Sequence, residues 1–166
     1  MNSKKTPSLS LAVQYASAAQ NLPTRAQLRR WVKAVLRRDA AMTLRIVDEA
    51  EGRELNRTYR GKDYATNVLT FVYDDEQTPP GLPLSGEEIL VGDVVICAPV
   101  VEREAREQGK DLAAHYAHLA IHAALHLQGY DHENDSDATE METLEVDVML
   151  KLRYPNPYQE TRITNG

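Results

Sequence analysis

Three of the five histidines in this 166-residue chain fall within one short segment, His122-Ala-Ala-Leu-His126-Leu-Gln-Gly129-Tyr-Asp-His132. His122 and His126 are four apart, which on a helix puts them on one face about a turn from each other. Gly129 can end that helix in a left-handed conformation that a side chain with Cβ resists. The chain can then turn back so that His132 reaches the same point. Three imidazoles with an open fourth position suit a catalytic zinc ion better than a structural one, which four ligands would close. Nickel or copper would also bind such a donor set.

The same helix carries two more histidines. On a 100° wheel His115, His118, His122 and His126 fall in a stripe about 80° wide. Buried imidazoles need polar partners, so this stripe implies a functional cleft. His115 reads as a hydrogen-bonded structural residue, and His118 as a candidate for the cleft wall. Asp131 is placed to orient an imidazole or to cap the turn. The His-x₃-His-x₂-Gly-x₂-His spacing is shared with metzincin proteases, which have Glu directly after the first His as general base. Here that position is Ala123, which cannot accept a proton. Zinc alone lowers the pKa of bound water from about 15.7 to about 7. That suits a substrate whose own charge is drawn to the metal, and a phosphodiester is the natural candidate.

Alternation and helical periodicity place the elements that must position these residues. Strands are expected at residues 8–15, 41–48, 67–73 and 88–97, the last buried on both faces. Helices are expected at 24–38 after a Thr24 cap, 49–58, 99–108 and 111–128 with Asp111 as cap. A last helix at 137–150 would open with a capping box at Asp137 and Glu140. Tyr59–Asp63 reads as a turn. Residues 74–87 form an acidic, Pro/Gly-rich segment. The expected fold class is α/β (α+β), a single domain over residues 1–153 with a mixed sheet of about four strands and about five helices. The 111–128 helix is apolar almost all round and should be the buried, metal-bearing centre. Residues 154–166 are expected to be a mobile tail.

Hydrophobic residues make up 42% and charged residues 27% of the chain, as in an ordinary globular protein. The single cysteine, Cys97, cannot form an internal disulfide and fits a cytoplasmic setting. No apolar run is long enough to span a bilayer, so no membrane association is expected. The net charge is −6, yet residues 1–62 hold 13 basic and 5 acidic side chains and the remainder 6 and 20. The basic half can supply an anion-binding face, with Arg29, Arg30, Lys33, Arg37 and Arg38 on the outer side of the first helix.

The histidine segment closely resembles the signature of the YbeY family of bacterial endoribonucleases. Glu54-Leu-Asn-Arg-Thr-Tyr-Arg60-Gly-Lys-Asp63, Thr66-Asn-Val-Leu-Thr-Phe71 and Gly92-Asp93-Val resemble that family's other blocks, in the same order. Ala123 stands where the family usually has Gly, adding bulk beside the metal. Ala65 and Val72 stand where it often has Pro.

The resemblance implies a single-strand-specific endoribonuclease with one Zn2+ ion held by His122, His126 and His132. It implies a role in the 3′-end maturation of small-subunit rRNA and in ribosome quality control, with single-stranded rRNA and the ribosome or its small subunit as partners. It makes Arg60 the catalytic arginine, and a guanidinium can clamp two phosphate oxygens as charge grows on phosphorus. The basic row on the first helix would contact phosphates. Tyr59, Tyr64 and Tyr130 are candidate stacking platforms for single-stranded bases. Two other readings stay open: a non-enzymatic ribosome-assembly factor whose metal holds the fold, and a metzincin-like metalloprotease.

Overall fold

A computed structural model describes residues 6–73, 89–130 and 134–158. His132 and Asp131, the 74–87 segment and residues 159–166 lie outside the described residues. The order of elements is β1 (Leu9–Ala16), α1 (Arg25–Lys33), β2 (Ala40–Val47), α2 (Glu49–Arg60), β3 (Val68–Tyr73), β4 (Leu90–Cys97), α3 (Ala98–Gln108), α4 (Leu112–Leu127) and α5 (Asp135–Lys151). The strands form one mixed sheet in the order β1-β2-β4-β3. β1 and β4 run parallel to β2, while β3 is antiparallel to β4 and forms an edge. This is the expected α/β class, with four strands and five helices among the described residues.

Period-two alternation divides the sheet residues between two apolar clusters. Met42, Leu44 and Ile46 of β2 and Leu90, Val94 and Ile96 of β4 join α1, α4 and α5 in the main core. Val47, Val95 and Cys97 face the other way, with Leu69 of β3 and Leu55 of α2. The expectation that β4 is buried on both faces holds for Val94–Cys97 and fails for Val91, which is exposed, because α2 covers only one end of that face.

Helix α4 is the buried centre, with eleven of its sixteen residues buried. Asp111 caps it by accepting a hydrogen bond from the Ala114 N–H at 3.1 Å. It lies close on the sheet because β4 carries Gly92. A Cβ there would stand 3.0 Å from both Leu127 Cδ2 and the Phe71 carbonyl oxygen.

Three expectations change at element ends. Helix α1 stops at Lys33 rather than 38. The Gln128 side chain accepts from the Arg37 N–H at 2.8 Å and donates to the Val35 carbonyl at 2.9 Å, so α4 takes the backbone groups that a longer helix would use. Arg37 and Arg38 therefore follow the helix instead of lying on its face. Helix α5 opens at Asp135, capped by Asn134, whose side chain accepts from the Asp137 N–H at 2.9 Å; the box at Asp137 and Glu140 does not start it. Residues 154–158, read as the start of a mobile tail, pack on the body. Tyr154 lies edge-on to Trp31 at 6.3 Å, and Lys110 Nζ donates to the Pro157 carbonyl at 2.9 Å.

Two stability outcomes follow from this packing. Gly92→Ala should destabilise the protein by about 1–3 kcal/mol, because its methyl group meets backbone as well as Leu127. An unchanged denaturation midpoint would contradict the close approach. The Tyr116 hydroxyl is buried with no partner among the described residues. Tyr116→Phe should therefore be neutral or stabilising by up to about 1 kcal/mol in the same assay, and a clear loss would show that the hydroxyl is satisfied.

Candidate functional site

Three histidines of the α4 stripe, His115, His118 and His122, are paired with carboxylates from other elements. His115 is buried, and its Nε2 lies 2.9 Å from Glu104 Oε1 of α3. Burial pushes this imidazole's pKa down, and Glu104 only partly offsets it. Glu104 also accepts from Asn67 Nδ2 at 3.1 Å, tying the start of β3 to the pair. His115 is thus the hydrogen-bonded structural residue expected.

His118 and His122 share one carboxylate. Glu145 of α5 is fully buried, with Oε1 2.7 Å from His118 Nε2 and Oε2 2.7 Å from His122 Nδ1. The Tyr158 hydroxyl donates to Oε1 as well, and the Tyr158 ring meets His118 edge-on at 5.2 Å. Burial alone would raise the Glu145 pKa. The hydrogen bonds from His118, His122 and Tyr158 outweigh it and hold the group down to about 2. The carboxyl is therefore ionised at neutral pH and accepts hydrogen bonds only. Burial and the bond to this anion push the Tyr158 phenol well above its usual range.

His122 and His126 sit on one face of α4 at successive turns, both partly buried, as their spacing requires. Past Leu127 the helix closes with Gly129 at φ 103°, and the Tyr130 N–H bonds back to the Leu125 carbonyl at 3.1 Å. This is the left-handed turn expected at Gly129. Ala123 does not crowd the histidine face, since it is fully buried and belongs to the main core. Among the described residues no group of three or more His, Cys, Asp or Glu side chains is arranged to hold an ion.

Arg60 is supplied by another element. It ends α2, which packs through Leu55 on the sheet face opposite α4. The expected turn at Tyr59–Asp63 begins two residues late, because Gly61 at φ 72° is the left-handed residue that caps the helix. Buried Asn56 holds the following loop by donating to the Tyr64 carbonyl at 2.7 Å. Its neighbours Arg53 and Arg57 are paired with Asp63 and Glu54. Arg60 is exposed, and no hydrogen bond or ion pair among the described residues engages it. Beside it, Tyr59 is 64% exposed and lies edge-on to Phe71 at 5.2 Å, so one ring face stays open to solvent.

The basic face of α1 is only partly available to a ligand. Arg25 Nη2 and Arg29 Nη1 donate to the Val13 and Leu9 carbonyls of edge strand β1 at 3.2 and 2.8 Å. Arg37 lies over the Tyr130 ring at 5.8 Å, at the end of α4. With Arg38, Gln128 and Gly129 these two line an open surface cavity of about 380 Å³.

The sequence reading passed over Glu145 and Tyr158. A signal for Glu145 was present: it lies four residues from both Met141 and Met149, the other two buried positions of α5. An acid in the middle of a buried stripe needs a polar partner. No comparable signal marks Tyr158, whose role depends on where the C-terminal segment crosses α4.

Comparison with known proteins matches residues 12–153 to the family model described as Endoribonuclease YbeY. A protein of that name from Aromatoleum aromaticum is 60% identical over 153 residues, covering 90% of this chain and 92% of its own. One from Nitrosospira multiformis is 57% identical over 158 residues, covering 93% and 84%. A solution structure from Thermotoga maritima superposes with a TM-score of 0.51 at 25% identity, covering 90% of this chain and 99% of that one. With the fold, the histidine helix and this similarity in agreement, the chain belongs to the YbeY endoribonuclease family.

Proposed function

We propose that this protein is a zinc-dependent, single-strand-specific endoribonuclease of the cytoplasm. It would act on rRNA in maturation of the small-subunit 3′ end and in ribosome quality control, with the ribosome or its small subunit as partner. The observation that carries the metal reading is the bond from His122 Nδ1 to the buried Glu145 carboxylate. Metal-ligating histidines characteristically give one ring nitrogen to a carboxylate and the other to the ion. With Nδ1 engaged, Nε2 is the nitrogen of His122 that would take a metal. His126, one turn on, and His132 would complete the set, and three imidazoles suit zinc with a position open to substrate.

A bound zinc would supply Lewis acidity, stabilising charge on a phosphoryl oxygen and activating water. The chain's own residues do the rest. Arg60, with no acidic partner among the described residues, can clamp non-bridging phosphate oxygens. The open face of Tyr59 offers a base something to stack on. Arg30 and Lys33 on α1, and Arg37 and Arg38 past its end, can bind further phosphates. A peptidase of metzincin type is disfavoured, because position 123 holds a core alanine where such enzymes carry their base.

The test is cleavage of a single-stranded RNA by identically purified variants, with zinc content measured on each. His126→Ala should lose both zinc and cleavage. Arg60→Ala should keep zinc and cut at least about 100-fold more slowly, the loss expected for one transition-state charge donor. Wild-type cleavage by Arg60→Ala would remove its assigned role. Chelation of the wild type should abolish cleavage, and activity that survives in all samples would mark a contaminant.

A further inference from the structure

We propose that Glu145 is a positioning residue that sets opposite tautomers on two histidines one turn apart, and so decides which of them can serve as a metal ligand. The carboxylate divides its oxygens, Oε1 to His118 Nε2 and Oε2 to His122 Nδ1, each at 2.7 Å. Its two oxygens face three hydrogen-bonding partners, the two rings and the Tyr158 hydroxyl, so the carboxyl group is the acceptor and both rings donate to it. A neutral imidazole carries one proton. His118 therefore holds its proton on Nε2, and His122 holds its own on Nδ1. The basic nitrogen of His122 is Nε2, on the far side of its ring from Glu145. That of His118 is Nδ1, which is buried without a partner among the described residues.

Of the histidines on the α4 stripe, the carboxylates sort three. Glu104 takes Nε2 of His115, as Glu145 takes that of His118. Of these three pairs among the described residues, the one at His122 is made through Nδ1.

Glu145 needs its own support, and the chain's end provides it. Tyr158 donates to Oε1 and rests its ring against His118. Lys110 holds the strap by donating to the Pro157 carbonyl. Tyr158 lies beyond residue 153, where the family match ends. The strap thus fixes the rotation of the carboxylate that in turn orients His122.

The tautomer assignment stands on the hydrogen bonds, while its consequence for metal binding rests on the zinc reading above. The experiment is long-range ¹H–¹⁵N NMR of histidine-labelled, metal-free full-length protein at about pH 8, where free imidazoles are neutral. Zinc affinity is then measured by chelator competition. The wild type should show the Nδ1–H form of His122 and the Nε2–H form of His118. Glu145→Gln, whose amide cannot accept from both rings at once, should switch or mix one tautomer and weaken zinc binding about 10–100-fold. Tyr158→Phe, which leaves the carboxylate and the fold in place, should shift the His118 nitrogen signals and weaken zinc about tenfold. An Nε2–H form of His122 in the wild type overturns the proposal. So does a Glu145→Gln protein with both tautomers and zinc affinity unchanged. If Glu145→Gln does not fold, Tyr158→Phe decides: unchanged histidine signals and unchanged zinc affinity overturn it. A wild type with the expected tautomers and no zinc uptake supports the assignment and overturns the zinc reading alone.

Discussion

A carboxylate with no exposed surface lies where α4, α5 and the C-terminal strap meet, and the arrangement around it depends on its staying ionised. Burial works against that state. Donors from His118, His122 and Tyr158 restore it and bring the pKa of Glu145 down to about 2. Removing one hydrogen-bond donor from a buried carboxylate costs about 1–3 kcal/mol, because the charge stays behind less compensated. Such a group allows little rotation of α5 against α4, since each of its oxygens is aimed at a particular ring. Apolar contacts alone, such as Met141 and Met149 in the core, would tolerate sliding that these hydrogen bonds do not.

The helix that this carboxylate faces is placed by an absence of bulk. Gly92 lets Leu127 come down onto β4, and small residues such as Ala117, Ala120, Ala123 and Ala124 line the buried sides of α4. The histidine stripe is then the only strongly polar feature of a helix sunk in the core. The arginines of α1 and α2 divide into two kinds. Arg25 and Arg29 cap the carbonyls of edge strand β1, a common way of blunting an edge. Arg53 and Arg57 are neutralised by neighbouring acids. Arg60, at the same helix end, has no such acid among the described residues.

Much of the fold was legible because the patterns were local. Alternation in the first two strands and the apolar run of the last placed strands within two residues of their bounds, and Thr24, Asp111 and Gly129 marked their turns and caps as expected. Expectations failed where a distant group intervened. Helix α1 ends early because Gln128, some ninety residues on, takes its backbone groups. The start of α5 moved to Asn134, since the residue that best satisfies the first turn's N–H groups is decided by how the chain enters the helix. The C-terminal segment proved ordered through Tyr158 because Trp31, Lys110 and Glu145 hold it from three other elements.

Sequence alone determined the chemistry on offer: an i, i+4 pair of histidines at His122 and His126, a glycine to turn the chain after them, no carboxylate at position 123, and an arginine in a recognisable block. These depend on residue type and on helical or turn geometry, which act over a few residues. Tertiary structure decided how those groups are used. It chose Glu145 as the partner of His118 and His122, set which ring nitrogen each turns toward it, and brought Tyr158 against it. It also left Arg60 without an acidic partner among the described residues, unlike Arg53 and Arg57 of the same helix. Such choices depend on burial and on contacts across many residues, where the cost of leaving a charge or a polar atom unpaired selects one arrangement from several that the local sequence permits.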